Sequence, residues 1–566
     1  MNDKSDIVIV GGVACGPKAA AAVMRRLPNA TVTLFQKEKR FSYGSCGMPY
    51  FASGDIGSFA ELMQTSYGVI RDEKWFAATR GFTAVPSAEV IAVDREAKTV
   101  TVRLLEENRE IVHGYDHLVL ATGAVPNKTP FEVPEDDRVR NFTRPDDAIH
   151  FRKLAETGQV GSVAVVGGGF IGCELAEAAA GLWGIETTLI EREDQVLPYA
   201  LDSEMALLAE AELKRQGVTV YTGATVEKIS QEGESLTLTV TGQEPITVDY
   251  VFLCLGVHPL TDLASGCGLT IGPSRGIAVN EFMQTSDPAI FAGGDCAEST
   301  HLLTGQPLFL PMGSLANRHG RVIADHIAGS DNRFPGVLGA FLVKVFDTNV
   351  GAVGLTEEAA GEAGLPTAAV WGTFPDKPDF YPESATFAAK LVYNPDDMQL
   401  LGIQLVGPGD IFRRVDVFSA YLARKAGVAD LLEFEHGYAP PYSEALDPLH
   451  HLAAMAEAQG RGFAFALPLP ETISAGKPLL LDVRTAEEFE SEPVPLDLGL
   501  FADLKNIPLE DLAARIGELD PEGEIAVICK RGPRSYQAAA VLKKAGFDRL
   551  RIVGGGVALL EGQKAD

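Results

Sequence analysis

The sequence is short of several things, and each shortage closes a route. Its seven cysteines (Cys15, Cys46, Cys173, Cys254, Cys267, Cys296 and Cys529) are scattered through 566 residues, odd in number and without a C-x-x-C pair. That pattern argues against a secreted disulfide framework and against a zinc site, so no metal is expected and a reducing cytoplasm fits. Positive charge is also scarce: 48 Lys and Arg face 77 Asp and Glu, for a formal net charge of −29 at pH 7. Such a field repels nucleic acid and anionic membrane, and obliges an anionic substrate to find a local basic patch. Lys530-Arg531 is a candidate, as is Lys37-Glu38-Lys39-Arg40, which also reads as ordinary solvated surface. No uninterrupted apolar run is long enough to span a bilayer. The N-terminus runs almost directly into the apolar strand Ile7–Val10, without the layout of a signal peptide. A cytoplasmic protein with neither nucleic-acid nor membrane partner is expected.

What is abundant is glycine, with 58 residues, above the usual share of about 7%. Much of the excess lies in two stretches with the same grammar. Residues 6–36 read as strand, glycine turn (Gly11-Gly12-Val13-Ala14-Cys15-Gly16), alanine-rich helix and second strand, Thr31–Phe35. Backbone amides at such a turn bind a pyrophosphate. Val13 takes the second glycine position of G-x-G-x-x-G, and Gln36 stands where an acidic residue would bind ribose hydroxyls. Residues 161–191 repeat the pattern more cleanly: strand Val163–Val166, turn Gly167-Gly168-Gly169-Phe170-Ile171-Gly172, helix Cys173–Gly181, strand Thr187–Ile190. Glu191 follows Gly172 by nineteen residues, and a carboxylate there favours a free 2′-hydroxyl, hence NADH over NADPH, with the adjacent Arg192 acting against that preference. Two such units in one chain predict two bound dinucleotides.

Two further apolar strands end in glycine: Tyr115–Ala121 before Thr122-Gly123, and Tyr250–Leu255 before Gly256. A third, Thr285–Ala292, delivers Asp295 after Gly293-Gly294. Among small residues in Ser42-Tyr43-Gly44-Ser45-Cys46-Gly47-Met48-Pro49-Tyr50, Cys46 is placed in a loop and helix start. This order resembles the flavin-dependent pyridine nucleotide–disulfide oxidoreductases over residues 5–450, with a nicotinamide domain inserted into a discontinuous flavin domain. The resemblance implies FAD on Gly11, Gly12, Gly16, Gln36, Ser42, Thr122, Gly123 and Asp295, the last holding the ribityl chain. It places NAD(P)H, NADH preferred, on Gly167, Gly169, Gly172 and Glu191. The segment Ala316-Asn317-Arg318-His319-Gly320-Arg321 resembles the family's helix start beside the flavin.

Within that family the context of Cys46 and the segment Tyr438-Ala439-Pro440-Pro441-Tyr442-Ser443 resemble coenzyme A disulfide reductases and their persulfide-reducing relatives. The implication is a homodimer in which Tyr438 crosses towards the partner's cysteine, with Tyr381 of Phe380-Tyr381-Pro382 as a second hydroxyl and coenzyme A as substrate or bound shuttle. Two-cysteine members carry Cys-x-x-x-x-Cys; here Phe41 stands at the first position, and the nearby Cys15 reads as a small buried residue of the phosphate turn. Cys46 is therefore read as a lone redox thiol. It either attacks a disulfide or persulfide, or cycles through sulfenic acid as in oxidase and peroxidase relatives.

The last hundred residues form another unit. Leu479–Arg484, Asn506–Leu509 and Glu524–Ile528 read as strands, the last running into Cys529-Lys530-Arg531-Gly532-Pro533-Arg534-Ser535 and a helix to about Ala545. A cysteine at a strand-to-helix turn faces backbone amides and the positive helix end. The pattern resembles a single-domain rhodanese, in which the residue matching Cys529 carries a sulfane sulfur; Lys530, Arg531, Gly532, Arg534 and Ser535 complete the loop. The usual Gly-His-Ile-Pro-Gly-Ala stretch before Asn506 is replaced by acidic and apolar residues. The expected fold is α/β: two Rossmann-like three-layer domains (FAD, 1–150 and 251–330; NAD, 151–250), an α+β dimerisation domain (331–452), a linker (453–470) and an α/β rhodanese-like domain (471–566). The expected activity is NAD(P)H- and FAD-dependent reduction of coenzyme A persulfide, polysulfide or coenzyme A disulfide, with an NADH oxidase or peroxidase as the alternative.

Overall fold

The computed structural model describes residues 5–233 and 235–564. The fold is mixed α/β. Contacts divide the chain into two compact units: one takes residues up to Gly167, Ala178–Thr187 and Val226–Val337; the other takes Gly168–Glu177, Thr188–Thr225 and everything from Leu338.

In the first unit the strand Asp6–Val10 is apolar at consecutive positions from Ile7 onward because it is buried on both faces there, as a central parallel strand requires. It pairs in parallel with Thr31–Phe35 on one side and His117–Leu120 on the other. Ile290–Ala292 and Thr83–Val85 complete a five-stranded sheet. The helix Cys15–Arg26 packs against this sheet through Ala19, Ala20, Ala22 and Val23. Small side chains on that face let the helix and the sheet approach closely. Here too Ser162–Val166 pairs in parallel with Tyr250–Leu253, and the latter with Val139–Asn141.

Two boundaries differ from the sequence expectation for one reason. The helices begin at Cys15 and Phe170, so Gly16 and Gly172 lie inside the first helical turn rather than before it. Gly16 is needed there for packing: a Cβ on it would lie 1.9 Å from the Gly11 carbonyl oxygen. The strand expected over Thr285–Ala292 is confined to Ile290–Ala292, because Thr285 Oγ1 and the Asp287 carboxylate close a turn before it. The segment from Ala316 sits within the helix Gly313–Ile327, which starts three residues earlier.

In the second unit five antiparallel strands run in the order Phe341–Val345, Thr348–Gly354, Leu400–Gly407, Thr386–Tyr393, Ala368–Pro375. A parallel sheet follows: Phe465–Ala466, Leu550–Val553, Ile525–Ile528, Leu479–Asp482, Asp503–Asn506. The stretch 453–470, expected to be a helix end and linker, also contributes a strand. The helix Pro448–Gly460 runs into it, and Phe465–Ala466 is the edge strand of the last sheet. Of the short strand and turn expected at Asn506–Leu509, the strand lies earlier, at Asp503–Asn506, and Pro508 caps the helix Leu509–Arg515. The last sheet docks on the edge strand Ala368–Pro375: Thr373 Oγ1 donates to the Gly555 carbonyl (3.0 Å).

A buried ion cluster fixes this unit. Lys390 Nζ lies 2.7 Å from Asp202, 2.5 Å from Glu204 and 2.6 Å from Glu357. Burial works against its charge, but the three carboxylates outweigh that and hold the ammonium above its ordinary pKa. The Trp371 indole N–H and the Gln404 amide satisfy remaining lone pairs of Glu204 and Asp202. Removing one partner of such a cluster leaves uncompensated buried charge, so Lys390→Met is expected to cost about 3–5 kcal/mol. Urea unfolding followed by tryptophan fluorescence measures it; an unchanged midpoint would show the cluster to be dispensable.

Candidate active site

The first glycine turn is shaped by its surroundings. Gly11 has φ 111°, and a Cβ on it would lie 2.0 Å from the Ala121 carbonyl oxygen. Gln36, where an acid was expected, accepts the Gly12 N–H through Oε1 (2.7 Å) and so braces the turn itself. Ser42, at φ 45°, donates its N–H to the Gly12 carbonyl (2.8 Å). Thr122 Oγ1 donates to the Leu260 carbonyl (2.7 Å), and Gly123 has φ 75° with no atom within 4 Å of a Cβ position. Asp295 follows the strand Ile290–Ala292, whose neighbour in the sheet is His117–Leu120. Desolvation alone raises its carboxyl to about 6. A half-buried carboxylate with no cation compensating it suits hydroxyl donors from a ligand.

Cys46 is exposed and lies in the single turn Ser45–Gly47, just before the helix Met48–Ser53. The long helix Gly313–Ile327 begins over it: a Cβ on Gly313 would lie 3.8 Å from Cys46 Sγ. The positive end of a helix favours negative charge on that sulfur. Sequence reading missed Gly313, since nothing local links it to position 46. Cys15, by contrast, is buried, and desolvation followed by the charges of Cys296 and Asp295 raises its thiol well above the ordinary value. It packs in the core of the first unit.

At the second turn Gly167 has φ 111°, and a Cβ on it would lie 2.3 Å from the Cys254 carbonyl oxygen. Gly169 has open space around it, and Gly172 lies in the helix Phe170–Ala180. Glu191 accepts the Gly168 N–H at 2.5 Å and the Glu193 N–H at 2.8 Å, one on each oxygen. Arg192 is turned to Glu193 (2.5 Å).

Cys529 ends the strand Ile525–Ile528, at the carboxyl edge where ligands of parallel sheets bind. The Gly532 N–H points at its sulfur (3.1 Å), with Gly532 at φ 117° immediately before the helix Pro533–Lys544. Ser535 is fully buried, and its hydroxyl has no protein partner among the described residues. Arg534 binds Glu488 through two hydrogen bonds (2.6 and 2.7 Å), which hold that carboxyl down at about 2. Arg531 binds Asp379 (2.9 Å) and Lys530 binds Glu492. These ion-pair partners were not foreseen. The acidic stretch Glu487-Glu488-Phe489-Glu490-Ser491-Glu492 was the available signal for two of them.

The tyrosines stand on two turns. Tyr438 is exposed, in a segment closed by Tyr442 N–H to the Ala439 carbonyl (2.8 Å) and Ser443 Oγ to the Gly437 carbonyl (2.9 Å). Tyr381 is half-buried, its N–H bonded to the Pro378 carbonyl (2.8 Å).

Residues 5–313 match the model of the pyridine nucleotide-disulphide oxidoreductases. The chain belongs to that family. Residues 341–450 match the dimerisation domain of these oxidoreductases, and 468–561 match a rhodanese-like domain. The NAD(P)H coenzyme A polysulfide/persulfide reductase of Pyrococcus horikoshii is 34% identical over 452 residues, covering 80% of this chain and 98% of that one. Among solved structures, a NAD-dependent persulfide reductase from A. fulgidus superimposes with a TM-score of 0.91 at 36% identity, covering 98% of this chain and 99% of that one. The reduced CoADR-RHD of Bacillus anthracis does so with a TM-score of 0.91 at 30% identity, covering 99% and 98%.

As a pyridine nucleotide-disulphide oxidoreductase the chain is an NAD(P)H-dependent flavoenzyme, and its residues fit FAD. The turn at Gly11–Gly12 opens onto a helix start, and Asp295 offers a desolvated acceptor. No helix among the described residues is long and apolar enough to cross a membrane.

A ligand hydroxyl donates more strongly to an ionised Asp295 than to its acid form. FAD affinity is therefore expected to weaken as the pH falls through about 6. Asp295→Asn should abolish that dependence and weaken binding about 10- to 100-fold. Flavin fluorescence titration from pH 5 to 8 measures both; a pH-independent wild type would remove Asp295 from the flavin site.

Proposed function

We propose that this oxidoreductase passes electrons from NADH to a sulfur–sulfur bond held at Cys46, and that Cys529 handles the sulfane sulfur. The observation that carries the reading is the lone, exposed Cys46 under the start of the helix Gly313–Ile327, in one chain with a second sulfur loop at Cys529. Coenzyme A persulfide, polysulfide or coenzyme A disulfide is the substrate class, as the names of the relatives suggest.

Gly11, Gly12, Gly16, Ser42, Thr122, Gly123 and Asp295, with Gln36 bracing the turn, would hold FAD, which would supply the two-electron relay from the nicotinamide. The Cys46 thiolate attacks a persulfide R–S–SH. Attack on the inner sulfur forms Cys46–S–S–R and expels HS⁻; attack on the outer sulfur forms Cys46–S–SH and expels RS⁻. Two electrons restore the Cys46 thiolate in either case, so the sum is R–S–SH + NADH + H⁺ → R–SH + H₂S + NAD⁺. Tyr438 and Tyr381 are assigned to proton delivery at the departing sulfur, with Tyr438 acting across a homodimer. Gly167, Gly169 and Gly172 receive the nicotinamide dinucleotide. Glu191 faces the turn with lone pairs left for ribose hydroxyls, and Arg192, neutralised by Glu193, offers little to a 2′-phosphate; both support NADH. A cytoplasmic setting suits a thiol-dependent cycle. An oxidase that cycles Cys46 through sulfenic acid would leave the Cys529 loop without work.

Anaerobic NADH oxidation with coenzyme A persulfide should release sulfide. Rapid oxygen-dependent NADH loss without sulfide would reverse the order of the two readings. Cys46→Ser should abolish reduction of every disulfide and persulfide while FAD stays bound, read from turnover and the flavin spectrum together. Cys529→Ser should spare reduction of simple disulfides and impair sulfur transfer; an equal loss of both would rule out a division of labour.

A further inference from the structure

Among the described residues, the cations Arg484, Lys530, Arg531 and Arg534 near Cys529 each face a carboxylate. Arg484, fully buried, pairs with Asp482 at 2.8 Å and lies 3.7 Å from Glu492. Lys530 pairs with Glu492 and lies 3.9 Å from Glu561. Arg534 pairs with Glu488 at 2.6 Å. Arg531 pairs with Asp379 at 2.9 Å, across 152 residues of sequence. Glu444, from the turn that also carries Tyr438, adds its carboxylate to the field at Asp379 and Arg531. Carboxylates therefore outnumber cations at this loop. What remains to hold a transferred sulfur is the Gly532 N–H, the unpartnered, buried Ser535 hydroxyl and Nη1 of Arg484, whose charge Asp482 already neutralises.

A small oxyanion donor such as thiosulfate carries two negative charges within a bond or two of the sulfur it gives up, and needs unpaired cations to approach. An organic persulfide places at most one charge at that sulfur. Resting on the reading of Cys529 as the sulfane-sulfur site, we propose that Asp379, Glu488 and Glu492 determine its donor class: they cancel Arg531, Arg534 and Lys530, so that the loop accepts organic persulfides and excludes thiosulfate-type oxyanions. The accepted step is Cys529–S⁻ + R–S–SH → Cys529–S–SH + R–S⁻. The new bond joins Cys529 to the outer sulfur, and the electron pair of the old S–S bond leaves with the thiolate. Because Asp379 stands on the turn after Ala368–Pro375 rather than near the loop in sequence, the filter belongs to the whole chain.

The test is thiocyanate formation from cyanide by the full-length holoenzyme, with thiosulfate or glutathione persulfide as donor. The wild type should show kcat/KM about 100-fold higher for the persulfide. Asp379→Asn and Glu492→Gln should each raise kcat/KM for thiosulfate about tenfold and leave the persulfide value within about twofold, with the gain shrinking at high salt. Asp379 is largely exposed and its pairing contributes little to stability, so its variant folds. Thiosulfate use that equals persulfide use in the wild type, or that does not rise in either variant, overturns the filter while leaving Cys529 as carrier. Transfer that persists in Cys529→Ser overturns the carrier role and the filter with it.

Discussion

A chain with a net charge of −29 has to hold anions, and it does so with backbone dipoles. The dinucleotide turn at Gly11–Gly12 opens onto the helix Cys15–Arg26, and the turn at Gly167–Gly169 onto Phe170–Ala180. Cys46 lies under the start of Gly313–Ile327, and Cys529 at the start of Pro533–Lys544. Each stands beside a helix start, where N–H groups left unpaired by the first turn favour negative charge. Side-chain cations are a secondary resource, and at the Cys529 loop they are spent on carboxylates.

That constraint explains where glycine is indispensable. Gly11 and Gly167 combine a positive φ with close approach to the carbonyl of a neighbouring strand's end, so no side chain is tolerated there. It also separates two uses of charge. Lys390 and its three carboxylates are buried and set the packing of the unit around the antiparallel sheet. The pairs at the mouth of the Cys529 loop are partly exposed, contribute little to stability, and so are available to set which ligands approach.

Much of the site was legible because it is contiguous. The two strand–turn–helix units, Asp295 after its strand, and the loop from Cys529 to Ser535 each lie within a few dozen residues, and local pattern carries them. The helices start at Cys15 and Phe170 rather than after the third glycine of each turn; Gly16 serves helix packing, which pattern does not separate from turn formation. The strand Phe465–Ala466 was read as linker because two residues paired to a strand more than 80 positions later leave no periodicity of their own. The edge strand Ala368–Pro375, against which the final sheet docks, was likewise unmarked by a simple alternation.

From sequence alone came the family, the two nucleotide turns, the absence of a second redox cysteine near Cys46, and the sulfur loop at Cys529. These follow from residue identities at short spacing, where chain geometry leaves few alternatives. The tertiary structure alone decided which helix start covers Cys46, that Gln36 and Glu191 face back onto their own glycine turns, and that Arg531 and Arg534 are paired rather than available. The physical reason is separation along the chain: Gly313, Asp379 and Glu488 lie tens to hundreds of residues from the groups they act on, and only packing of distant elements brings their fields within reach of the sulfurs.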